Sequence, residues 1–185
     1  MLNSALEEQI KILLRGEIQR NCDFALLAHR DMIRCIESMK LDDKEVLDRF
    51  WLSVESFLIT VANISKILWP SPQCGIEVSS RRKALRTLLS VDDSSPIKEK
   101  EFRNHFEHYD SRIENWAKHY ESKTIYDSNI GSIDSVVLGV SNTSFYMRNF
   151  DPYRFVLYIG GQKYEINRVV AAVKDLLGKT KAIQL

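Results

Sequence analysis

Cysteine is scarce in this chain. Cys22, Cys35 and Cys74 are its three cysteines among 185 residues, and they lie far apart. An odd, widely spaced set without a CxxC pair disfavours a disulfide framework and a structural zinc site. The N-terminus is polar and acidic and lacks the basic and apolar segments of a secretory signal. We therefore expect a reduced, cytoplasmic protein that holds no metal and no cofactor.

Long apolar runs and an excess of one charge are also missing. No apolar run approaches about 18 residues, so we expect no membrane-spanning helix. The formal net charge is +1, which argues against a protein that coats nucleic acid through bulk electrostatics. Any contact with RNA would need a local basic patch. The densest basic cluster is a candidate phosphate patch or, alternatively, the solvated face of a helix; it consists of Arg81, Arg82, Lys83 and Arg86.

Apolar residues recur at helical spacing through most of the chain and predict a mainly α fold, a bundle of four to five helices. The predicted helices cover residues 4–39, 44–68, 81–89 and 97–121, and a closing helix covers residues 168–177 and ends at Gly178. The expected N-caps are Asp42 or Asp43 for the second helix and Ser79 or Ser80 for the third. The second helix is apolar on most sides, which is typical of the central helix of a bundle.

The helical periodicity is lost after residue 122. Residues 123–132 have no pattern and are expected to form a linker, whereas strands are predicted at residues 135–140, 145–150, 153–159 and 162–166. Gly160-Gly161 fits a two-residue hairpin turn, which needs positive φ. The chain should therefore hold a helical bundle over residues 1–122 and a small antiparallel β-sheet with a closing helix over residues 133–180, packed on the bundle.

The fourth predicted helix contains a cluster of side chains suited to chemistry. The cluster consists of Arg103, Asn104, His105, Glu107, His108, Asp110 and Arg112. At about 100° per residue, Asn104 falls about 170° and His108 about 130° from the centre of the apolar stripe of the helix. Arg103 and Arg112 fall about 90° away on opposite flanks. The face that the stripe leaves unburied therefore carries Arg103, Asn104, Glu107, His108 and Arg112, whereas His105 and Asp110 lie near the edge of the stripe.

Two interpretations of this face remain open. It is either the wet side of an amphipathic helix, with Arg103 and Glu107 as a weak i,i+4 ion pair, or a face turned toward a second copy of the chain. In the second case a two-fold axis would bring two Arg103 and two His108 side chains into one cleft. Asp110 would orient a neighbouring group. The other histidines are expected to pack, in the case of His105, or to lie at the surface, in the case of His29 and His119.

The segment Arg103-Asn104-His105-Phe106-Glu107-His108 resembles the R-x4–6-H motif of the HEPN family, with Asn in the favoured place after Arg. The resemblance covers about residues 1–122 and includes the position of the motif on the fourth helix. It implies an up-and-down, HEPN-like helical bundle that is usually dimeric and often a metal-independent endoribonuclease. Such proteins occur in toxin–antitoxin and antiphage systems. By this resemblance Arg103 and His108 are the catalytic candidates and Asn104 supports them.

RNA carries its own nucleophile, the 2′-OH, so that a base and an anion stabiliser suffice for its cleavage. An imidazole titrates near neutrality and can move that proton, and a guanidinium can hold the phosphate oxygens. With this chemistry, the resemblance to the HEPN family implies an RNA-cleaving homodimer. A second hypothesis is an inactive helical module that binds RNA, a protein partner or an antitoxin. A metal-dependent hydrolase is disfavoured because HxH, HExxH and DxD patterns are missing.

Overall fold

A computed structural model of the chain describes residues 2–40, 43–98, 109–118, 127–132 and 147–183. The described residues are mainly helical, with a small four-stranded sheet and a closing helix, and this confirms the predicted fold class. By its internal contacts the chain divides into one unit of Met1–Arg103 with Val170–Leu185 and a second unit of Asn104–Val169. The inner ends of the two predicted domains, residues 122 and 133, lie outside the described residues, and the division into residues 1–122 and 133–180 stays a prediction.

The described residues form five α-helices and two short 3-10 turns. The helices are α1 (Leu2–Ser38), α2 (Lys44–Leu68), α3 (Ile76–Leu88), α4 (Tyr109–Lys118) and α5 (Ile166–Ala182), and the 3-10 turns are Pro72–Cys74 and Pro96–Lys98. The predicted helices at residues 4–39 and 44–68 are confirmed. Of the fourth predicted helix, residues 97–121, the described part consists of the turn at Pro96–Lys98 and α4.

The core of the first unit lies between α1 and α2, which pack along each other as an antiparallel hairpin. Asn63 of α2 donates a hydrogen bond to Asn21 of α1 at 3.2 Å, and the rings of Phe57 and His29 lie 6.4 Å apart farther along. The fully buried side chains of α2 include Phe50, Phe57 and Ile64. Burial of these large apolar groups is the main stabilising contribution to the hairpin.

The bounds of α2 follow from local chemistry. Asp43 caps its N-terminus, since the carboxylate accepts a hydrogen bond from the Val46 backbone N–H at 3.1 Å, and Trp69-Pro70 ends it. By length and composition alone α2 could cross a membrane, but 61% of its apolar window is buried inside the protein. Such burial is typical of a core helix and is compatible with a soluble protein.

Helix α3 begins five residues earlier than the sequence indicates, and its N-cap is neither Ser79 nor Ser80. Gly75, with φ of 86°, ends the preceding turn and leads directly into Ile76. Its carbonyl oxygen accepts a hydrogen bond from the Ser79 backbone N–H at 3.1 Å, which places Ser79 and Ser80 inside the helix. Glycine adopts this backbone conformation without the steric cost that other residues meet.

Helix α5 runs through Gly178, where the sequence predicts its end. Contacts in the last turns explain the difference, because Lys179 forms an ion pair with Asp175 at 2.7 Å and donates a hydrogen bond to the Ser90 carbonyl oxygen at 3.0 Å. The hydroxyl of Thr180 donates to the Leu177 carbonyl oxygen, and the Thr180 side chain is buried. These contacts outweigh the modest cost of one glycine within a helix.

The sheet of the second unit is mixed rather than antiparallel throughout. Its described strands are β1 (Asn129–Ile130), β2 (Arg148–Asp151), β3 (Val156–Ile159) and β4 (Gln162–Glu165), in that spatial order. Strands β2, β3 and β4 are antiparallel, whereas β1 pairs parallel to β2. Strand β1 lies in the predicted linker, where polar contacts hold it. Asn129 donates to the side chain of buried Asn149, and Arg148 contacts Asp127 through two hydrogen bonds.

The strand predicted over residues 153–159 begins only at Val156. The Asp151 carboxylate accepts hydrogen bonds from the backbone N–H groups of Tyr153 at 3.0 Å and Arg154 at 3.1 Å, which folds these residues into a turn. Phe155 then has a φ of 54°, a conformation that a strand does not allow. The strand predicted at residues 135–140 lies outside the described residues.

Gly160 and Gly161 form the predicted two-residue turn between β3 and β4, with φ of 54° and 82°. We expect Gly160→Val to lower the free energy of unfolding by roughly 1–2 kcal/mol, because a side chain strains the backbone at positive φ. Gly160→Asn should cost less, since Asn tolerates this region. Urea denaturation of both variants measures the difference. Equal losses would contradict a conformational cause, because nothing lies within 4 Å of a Cβ added at Gly160.

Candidate functional site

The two catalytic candidates, Arg103 and His108, lie outside the described residues, as do Asn104 and Glu107. Asp110 and Arg112 belong to α4, whose first described residue is Tyr109, the residue after His108. Within the helix expected to carry the motif, residues 109–118 are therefore helical. The Arg103–His108 pair stays a prediction.

The four members of the basic cluster on α3 do not share one environment. The side chain of Arg81 is 13% exposed, and it donates hydrogen bonds from Nε and Nη2 to the two carboxylate oxygens of Glu7 at 2.7 and 2.5 Å. Its Nη2 also contacts Glu77 at 2.9 Å. The charge of this guanidinium is thus compensated by two carboxylates, and the hydrogen bonds from Arg81 hold the pKa of Glu7 below its usual range. Lys83 is exposed.

Arg82 differs from Arg81, because among the described residues its guanidinium has fewer hydrogen-bond partners than it has buried donors. Its Nε and Nη1 atoms are buried, and they have no hydrogen-bond partner among the described residues. Burial lowers the pKa of this guanidinium, and the neighbouring charge of Arg81 lowers it further. Leaving buried N–H donors of a charged group unsatisfied is costly. Such an arrangement in a folded protein calls for a ligand or another physical explanation.

Arg86 lies at the wall of a cleft with a volume of about 310 Å³, beside the C-terminal end of α2. Its Nη1 donates a hydrogen bond to the Leu68 carbonyl oxygen at 2.5 Å, and its guanidinium carbon lies 5.6 Å from the centroid of the Trp69 ring. Backbone and aromatic contacts therefore fix the position of this cation. The cleft is lined by Ser65, Trp69, Pro70, Ser71, Pro72, Ser79, Arg86 and Lys98.

The carboxylate of Asp93 neutralises part of the charge of the two cations of the cleft, Arg86 and Lys98. Asp93 Oδ2 lies 3.2 Å from Lys98 Nζ, and Asp93 Oδ1 lies 3.9 Å from Arg86 Nε. Trp69 Nε1 also donates a hydrogen bond to Asp93 at 2.7 Å. These donors, first Trp69 and then Lys98, lower the pKa of Asp93, so it is ionised at neutral pH. The three charges sum to +1 at the mouth of the cleft.

The sequence pointed to Arg86 but not to the rest of this cleft. Lys98 and Trp69 are far from Arg86 in the chain, and Ser71 and Pro72 belong to a segment whose composition indicates only a loop. Within α3, the spacing of Ser79, Arg82 and Arg86 placed all three on one side of the helix, since they fall within about 60° of one another. That spacing was the one feature in the sequence that could have indicated the cleft.

The first unit also contains three cysteines and His29. Cys22 and Cys35 are buried and Cys74 is exposed, and all three are free thiols. Burial raises the pKa of Cys22 to about 12, which makes it unreactive at neutral pH. His29 is half-buried against Phe57 rather than at the surface, and burial lowers its pKa. No cluster of three metal-ligating side chains occurs within the described ranges.

Comparison of the chain with models of protein families, with curated protein sequences and with solved structures finds no match.

Proposed function

We propose that the protein is a HEPN-type, metal-independent endoribonuclease that acts as a cytoplasmic homodimer. The observation that carries the proposal is the segment from Arg103 to His108, in which a guanidinium and an imidazole are separated by four residues. The mainly helical architecture and the helical residues that directly follow His108 support it. A role in a toxin–antitoxin or antiphage system is the setting that the resemblance implies.

The chemistry assigns one task to each side chain. His108 takes the proton of the ribose 2′-OH, and the resulting oxygen attacks the adjacent phosphorus. Arg103 donates hydrogen bonds to the phosphate oxygens and stabilises the charge that accumulates on them. The P–O5′ bond breaks, the 5′-oxygen takes up the proton that His108 removed from the 2′-OH, and the other product ends in a 2′,3′-cyclic phosphate. Asn104 orients the pair, and a second copy of the chain completes the cleft.

The experiment that tests this function compares two oligonucleotides of identical sequence in the presence of EDTA. One is RNA, and the other carries a single 2′-deoxyribose at the position where the RNA is cut. We expect the RNA to be cleaved to a product with a cyclic phosphate end and the substituted strand to stay intact at that position. Cleavage of both strands at that position would contradict attack by the 2′-OH.

An exposed apolar stripe on α1, interrupted by the ion pair of Glu17 and Arg20 at 3.2 Å, favours a second function, a helical module that binds another protein. Its members are Leu6, Leu13, Phe24 and Leu27. They fall within about 60° on the helix, and the side chain of Leu13 is 71% exposed. A charged residue in place of Leu13 should abolish a complex formed through this stripe, whereas Glu8→Lys, about 140° from Leu13 around α1, should not. Light scattering after gel filtration reports the mass of the complex.

The sheet is a less suitable surface than the α1 stripe for binding another protein. Strand β4 lies at one end of the described sheet, and Lys163 and Glu165 form an exposed ion pair there at 3.1 Å. Charged side chains on an end strand oppose the addition of another strand. The α1 stripe is therefore the better-supported protein-binding surface of the two.

A further inference from the structure

The cleft beside Arg86 has the composition of an anion site. Arg86 and Lys98 supply two cations, and Ser65, Ser71 and Ser79 supply hydroxyl groups. Guanidinium and ammonium groups bind phosphate through charge-assisted hydrogen bonds, and hydroxyls add neutral donors. Trp69, Pro70 and Pro72 form an apolar wall beside these polar groups. Small-molecule sites typically combine such a wall with a few convergent polar groups.

The cations are held in place before a ligand arrives. The contacts of Arg86 with Leu68 and Trp69 immobilise its guanidinium, while the hydrogen bond to Leu68 uses one of five N–H groups. The Lys98 ammonium is restrained by Asp93, whose own side chain is 66% exposed. Prior ordering of binding groups lowers the entropy cost of binding. A phosphate can therefore compete with Asp93 for both cations.

Arg82 provides an independent observation. It lies about 60° from Ser79 and about 40° from Arg86 around α3, and both of these residues line the cleft. Its buried Nε and Nη1 have no hydrogen-bond partner among the described residues. Arg82 is not among the residues that line the cleft, so an anion there would act on it through charge alone. That negative charge on the same side of α3 would offset part of the cost of burying the guanidinium.

We propose that this cleft binds one nucleotide unit, with its phosphate at Arg86 and Lys98 and its ribose or base against Trp69, Pro70 and Pro72. A volume of about 310 Å³ accommodates a small ligand. The nucleotide is either free or one unit of an RNA strand, and the phosphate is the chemistry that the two share. Binding here does not require an active Arg103–His108 pair, although Lys98 precedes Arg103 by only five residues, a stretch that spans at most about 18 Å.

Isothermal titration calorimetry on the full chain tests the proposal with two phosphate ligands. These are AMP and a short 2′-O-methyl oligonucleotide, which cannot form a cyclic phosphate and so resists the proposed cleavage; adenosine is the control that lacks a phosphate. We expect AMP or the oligonucleotide to bind more tightly than adenosine. Tight binding of AMP would identify a free nucleotide as the ligand, and binding of the oligonucleotide alone would identify an RNA strand.

Three variants locate the binding in the cleft. Lys98→Gln should weaken binding by about 10- to 100-fold, the usual effect of losing a hydrogen bond to a charged group. Lys44→Gln removes the same charge at the far end of α2, about 36 Å away along the helix, and should have little effect. Asp93→Asn keeps an oxygen acceptor for Trp69 but removes the competing charge, so binding should become tighter.

Lys98→Gln is expected to weaken binding and Asp93→Asn to tighten it, and misfolding of a variant could not produce both results. A damaged fold weakens binding but does not tighten it, so that Asp93→Asn reports on the cleft itself. Equal losses in Lys98→Gln and Lys44→Gln would overturn the proposal, because the attraction would then be a property of the overall charge. The proposal would also be overturned if adenosine bound as tightly as the phosphate ligands, or if no ligand bound.

Discussion

His108→Ala should reduce the rate of RNA cleavage by about 100- to 10,000-fold, the range over which a positioned acid or base accelerates a reaction. The loss should appear in kcat rather than in KM, because the imidazole acts on the proton of the reacting hydroxyl and contributes little to the binding of the RNA. Single-turnover cleavage of a labelled RNA with excess enzyme measures the rate of the chemical step directly.

The matched control for this change is His119→Ala. His119 has no predicted partner in the sequence, and its replacement also removes one imidazole. The rate of His119→Ala should stay close to that of the unsubstituted protein, and thermal denaturation should show that both variants are folded. A similar loss in both variants would mean that His108 has no special role in the reaction.

Phe57→Ala should lower the free energy of unfolding by about 3–5 kcal/mol, the usual cost of replacing a buried aromatic side chain with alanine. Phe57 is fully buried in the middle of α2, and its ring lies near His29 of α1. Its removal deletes apolar contacts in the α1–α2 hairpin and leaves a cavity that the long helices cannot easily close. Urea denaturation followed by circular dichroism measures the change.

Leu52→Ala is the matched control on the same helix. The Leu52 side chain is 62% exposed, so its replacement should change the free energy of unfolding by less than about 0.5 kcal/mol. If the two substitutions had equal effects, α2 would not bury the side of the helix that carries Phe57. The packing of the hairpin described above would then be wrong.

The parts of the fold that the sequence predicted well are those decided by local chemistry. Both bounds of α2 follow from neighbours in the chain, a capping carboxylate at Asp43 and the Trp69-Pro70 pair. The Gly160-Gly161 turn was predictable for the same reason, since few residues other than glycine tolerate its backbone conformation. In each case the determining residues lie within a few positions of the boundary.

The secondary-structure predictions were wrong where the structure depends on a contact between residues distant in sequence or on the hydrogen bonds of one side chain. Strand β1 has no periodic pattern, and its pairing rests on the contact between Asn129 and Asn149, twenty residues apart. The turn before β3 depends on the Asp151 carboxylate, which captures two backbone N–H groups in a segment whose side chains favour a strand. The strand propensity of individual residues takes account of neither the long-range contact nor the side-chain hydrogen bonds to the backbone.

For the candidate sites too, the sequence predicted what depends on local spacing and missed what depends on contacts between distant segments. Motif spacing alone suggested Arg103 and His108, because both lie within two turns of one predicted helix. The Arg86 cleft as a whole was not predictable, because the spacing within α3 indicates only the side formed by Ser79 and Arg86. Lys98 and Asp93 reach the cleft from a different segment, and an exposed basic cluster looks the same in sequence whether or not its members are already paired. The bidentate contact between Arg81 and Glu7, residues 74 positions apart, illustrates that ambiguity.

Mixing two inactive variants tests the shared cleft most directly. Arg103→Ala lacks the guanidinium and His108→Ala lacks the imidazole, and each is expected to be inactive alone. Subunits exchanged between the two preparations would form heterodimers whose cleft contains one Arg103 and one His108. We predict that RNA cleavage in the presence of EDTA reappears in the mixture and follows the amount of heterodimer. Absence of cleavage in the mixture, with heterodimers present and the unsubstituted protein active, would contradict an active site formed by two copies of the chain.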